Sequence, residues 1–247
     1  MPFMTVTYAL LLYAAAAVFV LGVGYRVLSY ARIPVPLKIP TMPAPLTRAG
    51  VLARMAREVC LFESLFRASK WTWIFAVMFH LGLLLELLRH LRFFIQPVWA
   101  WLVVVQPFGV YAGIAMLGGL AGLLGRRLLL ARVRYISRPS DYLLLLLLLA
   151  IGLSGFALRL LDHTDIVAFK LFVLGLVYFD WQPLPVNPLL LTHLALVSLL
   201  LIVFPFSKLL HAPAVFFSPT RNQADDARER RHLAPWAARL GDAGGGV

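Results

Sequence analysis

Charge is scarce in this chain. Of 247 residues, 14% are Asp, Glu, Lys or Arg and 61% are apolar, a balance that excludes an ordinary soluble domain. Cysteine is nearly absent too. Cys60 stands alone, so no C-x-x-C-H attachment motif can form. Positive charge is missing ahead of the first apolar run, where a secretory signal would carry it. Arg26 and Arg32 follow that run instead, so it reads as a retained span with its N-terminus outside.

What is present is hydrocarbon-compatible helix. Five charge-poor stretches lie near residues 4–30, 71–95, 100–124, 142–161 and 188–211, and about 20 residues suffice to cross a bilayer core. The expected fold is an all-α integral membrane protein, a five-transmembrane-helix bundle. It divides into a first transmembrane helix (1–30), a cytoplasmic loop with an amphipathic helix (31–70), a four-helix core (71–211) and a cytoplasmic tail (212–247). The basic residues set its orientation. Nineteen Lys and Arg lie in the 26–70 connection, the third-to-fourth connection and the tail, against Arg89, Arg92, Arg159 and Lys170 on the other side. This positive-inside bias puts the C-terminus in the cytoplasm. The net charge of +12 is thus an orientation signal and a lipid-headgroup contact, not a nucleic-acid footprint.

Residues 166–179 are apolar but short, interrupted by Lys170 and bracketed by Asp162, Asp165 and Asp180. They read as a helix in the outer interface; a sixth crossing would swap the sides of everything after it. In the 31–70 loop, five prolines between Pro34 and Pro45 suit an extended tether. Residues 47–70 mix Arg with Leu, Val, Met and Phe at helical spacing, giving a basic amphipathic helix for the inner membrane face or a docking partner. The polar stretch 218–247 reads as a mobile tail. In the third span, Gly109 with Gly113 and Gly118 with Gly122 form small-x-x-x-small pairs. These favour close helix packing, with close approach to a flat cofactor as the alternative.

Against that background four histidines stand out, because an imidazole in a bilayer helix is costly without a partner. His80 and His90 are about 15 Å apart along one helix and about 80° around it. His193 and His211, taken as one continuous helix, are about 27 Å apart on one face. In antiparallel helices His80, at the inner start of its span, faces His211, and His90 faces His193 near the outer surface. Pro205 is placed to bend the last span. Averaging the spacings separates two sites by about 20 Å. The histidines are too dispersed for a bare Zn²⁺, whereas facing pairs suit bis-His ligation of a haem iron. With one cysteine any such haem is b-type. Polar packing histidines in a haem-free proton-coupled transporter remain the other reading of the spacing.

The runs FHLGLLLELLRH and HLALVSLLLIVFPFSKLLH, the second with Phe204-Pro205-Phe206-Ser207-Lys208 before His211, resemble the cytochrome b family of respiratory nitrate reductase gamma subunits over roughly residues 71–211. The resemblance implies two haems b, an inner one on His80 and His211 and an outer one on His90 and His193. Arg89, Arg92 and Arg159 would then neutralise outer propionates and Lys208 inner ones. A quinone would be the membrane substrate, with Glu86, Asp162, His163 and Asp165 as titratable candidates near it. Glu86 has an ion pair with Arg89 or Arg92 as its plainer role, and His163 and His232 read otherwise as solvated. Two details lean away from nitrate: the long proline-tethered loop, and no basic residue near Val105, where nitrate-type members carry lysine. Both are similar to the DsrM-type membrane subunit of the sulfite-reductase-associated Dsr complex. That branch implies a cytoplasmic iron–sulfur subunit related to heterodisulfide reductase, a multihaem cytochrome c and a second membrane subunit, all at a bacterial inner membrane. A nitrate reductase gamma subunit is the alternative within the family.

Overall fold

The computed structural model describes residues 2–35, 37–162 and 164–225, and all regular structure among them is helical. In chain order the helices are α1 (Phe3–Arg32), α2 (Arg48–Leu61), α3 (Glu63–Ala68), α4 (Lys70–His90), α5 (Ala100–Val105), α6 (Gly109–Leu129), α7 (Ala131–Ile136), α8 (Pro139–Leu160), α9 (Ile166–Tyr178), α10 (Pro188–Val203), α11 (His211–Ala214) and α12 (Pro219–Asn222). Five segments are long and apolar enough to cross a membrane: Phe3–Arg32, Lys70–Phe93, Ala100–Leu129, Pro139–Leu160 and Pro188–Phe206. The third is α5 and α6 joined through a 3₁₀ turn at Gln106–Phe108, where Pro107 withholds a backbone N–H. At most 28% of the most apolar stretch of any span is buried within the chain, so the rest of each surface suits hydrocarbon.

Two compact units are built from separate stretches of chain: Met1–Arg26 with Phe62–Leu210, and Val27–Leu61 with the residues from His211 on. In the first unit the contacts fix helix direction. Gly82 meets Ala112 and Met116, and Gly119 meets Phe75 and Phe79, so α4 and α6 are antiparallel. The Arg127 side chain reaches Ser137 near the start of α8, while Gly152, farther along that helix, meets Leu117, so α6 and α8 are antiparallel as well. Ser154 meets His193, and Asp141 meets Lys208, which makes α8 and α10 antiparallel in turn. Tyr8 donates to the Leu191 carbonyl at 3.0 Å, and Phe19 packs edge-on against Phe204, so α1 and α10 run parallel. Parity then assigns α9 no crossing: it lies at the end where α8 finishes and α10 begins. Its 13 residues reach about 20 Å, short of the hydrocarbon thickness.

Three helix starts are capped by a side chain that supplies an acceptor for the first amides. Ser69 caps α4, Asp165 caps α9 and Asn187 caps α10. Asn187 is itself held by Asp162, to whose carboxylate its amide donates at 2.9 and 3.0 Å. Fully buried Phe172 of α9 anchors a core with Val173, Leu184, Leu190 and Leu194. A second core of Phe79, Met116 and Leu120 lies between α4, α6 and α8.

Three expectations change. The amphipathic helix of 47–70 is not one helix: Phe62 takes a left-handed conformation (φ 50°, ψ 45°) and separates α2 from α3, and Ser69 separates α3 from α4. The last span does not run on to His211. It leaves the α conformation at Val203, passes through 3₁₀ turns at Phe204–Phe206 and Lys208–Leu210, and is extended at Ser207 (φ −114°, ψ 173°). Pro205 cannot donate to the ladder, so the rise of a continuous helix no longer measures His193 to His211. The glycine seam is also shifted. The closest backbone approach is at Gly82 and Gly119 rather than at Gly118, where a Cβ would have only the Met78 methyl 3.4 Å away.

In the second unit, the prolyl stretch is tied down rather than hanging as a tether. The Thr41 amide donates to Thr220 at 2.9 Å, the Ile39 amide to the Gln223 side chain at 2.8 Å, and the Asp225 amide to Pro45 at 2.8 Å. Arg221 pairs with Glu58 of α2. Most of the expected tail, from residue 226, lies outside the described residues.

Two stability experiments follow. A Cβ at Gly119 would stand 2.6 Å from both the Phe75 carbonyl oxygen and the Phe79 nitrogen, whereas one at Gly125 meets nothing within 4 Å. Gly119→Ala should therefore lower the thermal midpoint in detergent by the equivalent of about 1–3 kcal/mol, while Gly125→Ala leaves it unchanged or raises it. Asp141, its side chain 3% exposed, accepts from Lys208 at 2.6 Å, faces Arg127 at 3.7 Å and accepts from the Arg138 amide at 3.0 Å. Lys208 is 61% exposed, so Asp141→Ala should cost about 2 kcal/mol, below the range for a fully buried pair. A second change, Lys208→Ala, should recover part of that loss in the same melting assay.

Candidate redox site

His80 sits halfway along α4, not at its start, because α4 begins at Lys70; His90 closes the helix. Both rings turn Nδ1 onto their own backbone. His80 Nδ1 donates to the Ala76 carbonyl at 2.8 Å, and His90 Nδ1 donates to the Glu86 carbonyl at 2.6 Å. A carbonyl only accepts, so the proton resides on Nδ1 and the lone pair on Nε2. His193 reaches the same state through another helix. Ser154 Oγ donates to the Ile151 carbonyl at 3.0 Å and so accepts from His193 Nδ1 at 2.9 Å.

A metal-bound imidazole commonly donates its other ring N–H to an acceptor, which fixes tautomer and ring orientation. His80, His90 and His193 all fit that donor state. Among the described residues no three His, Cys, Asp or Glu side chains converge as a bare metal ion requires; a porphyrin iron held by two axial imidazoles makes no such demand. The chain's donor chemistry therefore fits haem.

At the end of the bundle where α4 stops and α10 begins, His90 and His193 lie within electrostatic reach of each other. Aromatic rings surround α4's two histidines: Phe62 lies 5.0 Å and Phe79 4.7 Å from the His80 ring, and Phe93 lies 6.0 Å from His90. The left-handed backbone at Phe62, rare for a bulky residue, belongs to the residue whose ring lies against His80. His211 opens α11 in the second unit and is exposed.

The basic residues divide into two groups. Arg92 lies within electrostatic reach of Arg89 and Arg159, so the three arginines expected together are together, beside His90. Gln106 joins them: its amide donates to the Arg89 carbonyl at 3.3 Å, and its oxygen accepts from Arg92 at 3.1 Å. Lys208, by contrast, is bonded to Asp141. Glu86 is mostly buried and meets Arg89 at 3.4 Å, its carboxylate 4.0 Å from His90 Nδ1. It thus forms the ion pair read as its plainer role while standing beside the ligand candidate. A Cβ on Gly113 would stand 3.3 Å from Glu86 Oε1, and one on Gly109 would meet the Arg89 side chain. These two glycines leave room for the pair.

Of the other titratable candidates, Asp162 is engaged with Asn187 and Thr164, and Asp165 with the first amides of α9; His163 lies outside the described residues. Sequence reasoning passed over Asp141, Gln106 and Ser154. Each is a polar residue in an apolar span, and that rarity was the available signal.

Comparison with known proteins identifies the family. Residues 62–225 match the family model described as nitrate reductase gamma subunit. A protein of Archaeoglobus fulgidus named Hdr-like menaquinol oxidoreductase cytochrome b-like subunit is 38% identical over 269 residues, covering 91% of this chain and 81% of its own. The protein of the same name in Archaeoglobus profundus is 36% identical over 271 residues, covering 91% and 80%. With five spans, a match over more than half its length and relatives along nearly all of it, this chain is a multi-pass membrane protein that belongs to the nitrate reductase gamma subunit family.

Proposed function

We propose that the chain is the di-haem b membrane subunit of a sulfur-metabolising respiratory complex, passing electrons between a membrane quinone and a cytoplasmic iron–sulfur partner. One observation carries the reading: His80, His90 and His193 each give Nδ1–H to an acceptor and keep the Nε2 lone pair, in a chain of this family. The outer haem belongs to His90 and His193. The inner one is assigned to His80 and His211 on the family resemblance. When bound, each supplies a one-electron couple whose potential follows from ligation and burial.

The chain's residues supply the rest. Arg89, Arg92 and Arg159 offer guanidinium charge to the outer propionates. Lys208 stays with Asp141, so on the inner side its charge is shared. The quinone sits by the outer pair, where Glu86, 4.0 Å from the His90 ring, can hold a proton at its carboxylate. The positive-inside charge bias supports an N-terminus outside and a tail in the cytoplasm, and the DsrM-type reading assigns the chain to the inner (cytoplasmic) membrane. The relatives' name points to a menaquinol-type quinone and to a partner related to heterodisulfide reductase. A multihaem cytochrome c and a second membrane subunit complete the DsrM-type complex.

The test is a reduced-minus-oxidised spectrum of purified protein with haem quantified per chain. Two haems b are expected. His90→Ala and His193→Ala should each remove the same haem, and His80→Ala and His211→Ala the other. A folded preparation made with ample haem that contains none overturns the reading and leaves the proton-coupled transporter. Copurification with a nitrate-reducing catalytic subunit instead of an iron–sulfur partner would move the chain to the nitrate branch.

A further inference from the structure

Three of the histidines meet the same demand by two different means. His80 and His90 donate to carbonyls of their own helix, four residues back, so no side-chain substitution removes those acceptors. His193 donates to a side chain on a neighbouring helix. Ser154 is 8% exposed, and its hydroxyl is itself oriented by donating to the Ile151 carbonyl at 3.0 Å. With its one proton given to Ile151, Ser154 Oγ faces His193 as an acceptor, and the Ile151 carbonyl itself also lies within hydrogen-bond reach of the His193 ring. The next residue completes the seat. A Cβ on Gly155 would stand 3.1 Å from His193 Cε1 and 3.6 Å from its Nδ1, so the ring lies against bare backbone on α8. The Ser154-Gly155 step thus supplies one acceptor and one flat space, both directed at a single imidazole.

We propose that Ser154 is a positioning residue for His193: it fixes the ring's tautomer and rotation and, through them, sets the potential of the outer haem. This rests on the reading that His193 is an axial ligand. An acceptor on Nδ1–H makes the imidazole a better electron donor to the iron and favours the oxidised state. Without it the ring N–H is left to the Ile151 carbonyl alone, the ligand is less basic and the reduced state gains.

The experiment is a redox titration of the full-length holoprotein, followed optically, for wild type, Ser154→Ala, Ser154→Thr and His193→Ala, with haem per chain measured in each. Ser154→Ala should keep two haems and raise the reduced-to-oxidised ratio of the outer one about tenfold at fixed ambient potential, about 59 mV for a one-electron couple. The inner haem should titrate as in wild type. Ser154→Thr, which keeps a hydroxyl, should return the outer haem close to its original midpoint. If Ser154→Ala instead loses the outer haem and Ser154→Thr regains it, the positioning role stands in stronger form. A Ser154→Ala titration that overlays wild type overturns the proposal while leaving ligation intact. So does a change that Ser154→Thr does not reverse, since the hydroxyl would then not be the cause. If His193→Ala retains both haems, the ligation reading itself fails and the proposal with it.

Discussion

An imidazole carried into an apolar helix bundle must give its N–H proton to something, and hydrocarbon offers nothing. This one requirement organises the site. On α4 the acceptors are carbonyls already spoken for in the helix ladder, which have a second lone pair available to the ring four residues on. On α10 the same solution is not used, and a hydroxyl is brought from α8 instead. Every ring so tied presents its other nitrogen in a defined direction. The consequence is that α8, which carries none of the four histidines, orients one of them through Ser154.

The same economy of polar groups explains how the bundle packs. Between lipid-soluble helices there is little hydrophobic gain, so association depends on close backbone contact and on a few buried polar links. Gly82 and Gly119 let α4 and α6 approach until backbone meets backbone. Higher in the same groove, Gly109 and Gly113 leave the space that the Arg89–Glu86 pair fills. One seam therefore does two things: it joins the helices at its middle and admits an ion pair where it opens toward His90.

How much of this could be read from the sequence depends on the range of the interaction. Composition and run length mark the five spans, because crossing a bilayer is a property of one segment at a time. The grouping of Arg89, Arg92 and Arg159 was also legible, since all three flank apolar runs on the same side. Breaks were harder. Phe62 interrupts a helical pattern with a left-handed residue that no periodicity reveals, and Pro205 does more than bend its span: the chain leaves the α conformation there. Pairings between distant segments were hardest. Nothing local to Asp141 says that Lys208, 67 residues on, will meet it, and nothing local to Ser154 names His193.

That long-range pairing bears on the meaning of the basic residues. A positive-inside count treats every Lys and Arg alike, yet here they have different fates. Arg127 and Lys208 converge on one buried carboxylate at the start of α8, where negative charge is favoured by the helix dipole. They pin the end of the last span to that helix start. Arg89, Arg92 and Arg159 gather at the opposite end of the same helices, where Glu86 pairs with Arg89. Arg92 is held within reach of both Arg89 and Arg159, and like charges so placed repel. The charge at one end is thus matched by a buried carboxylate, while the other end gathers cations, and it is the second end that carries His90 and His193.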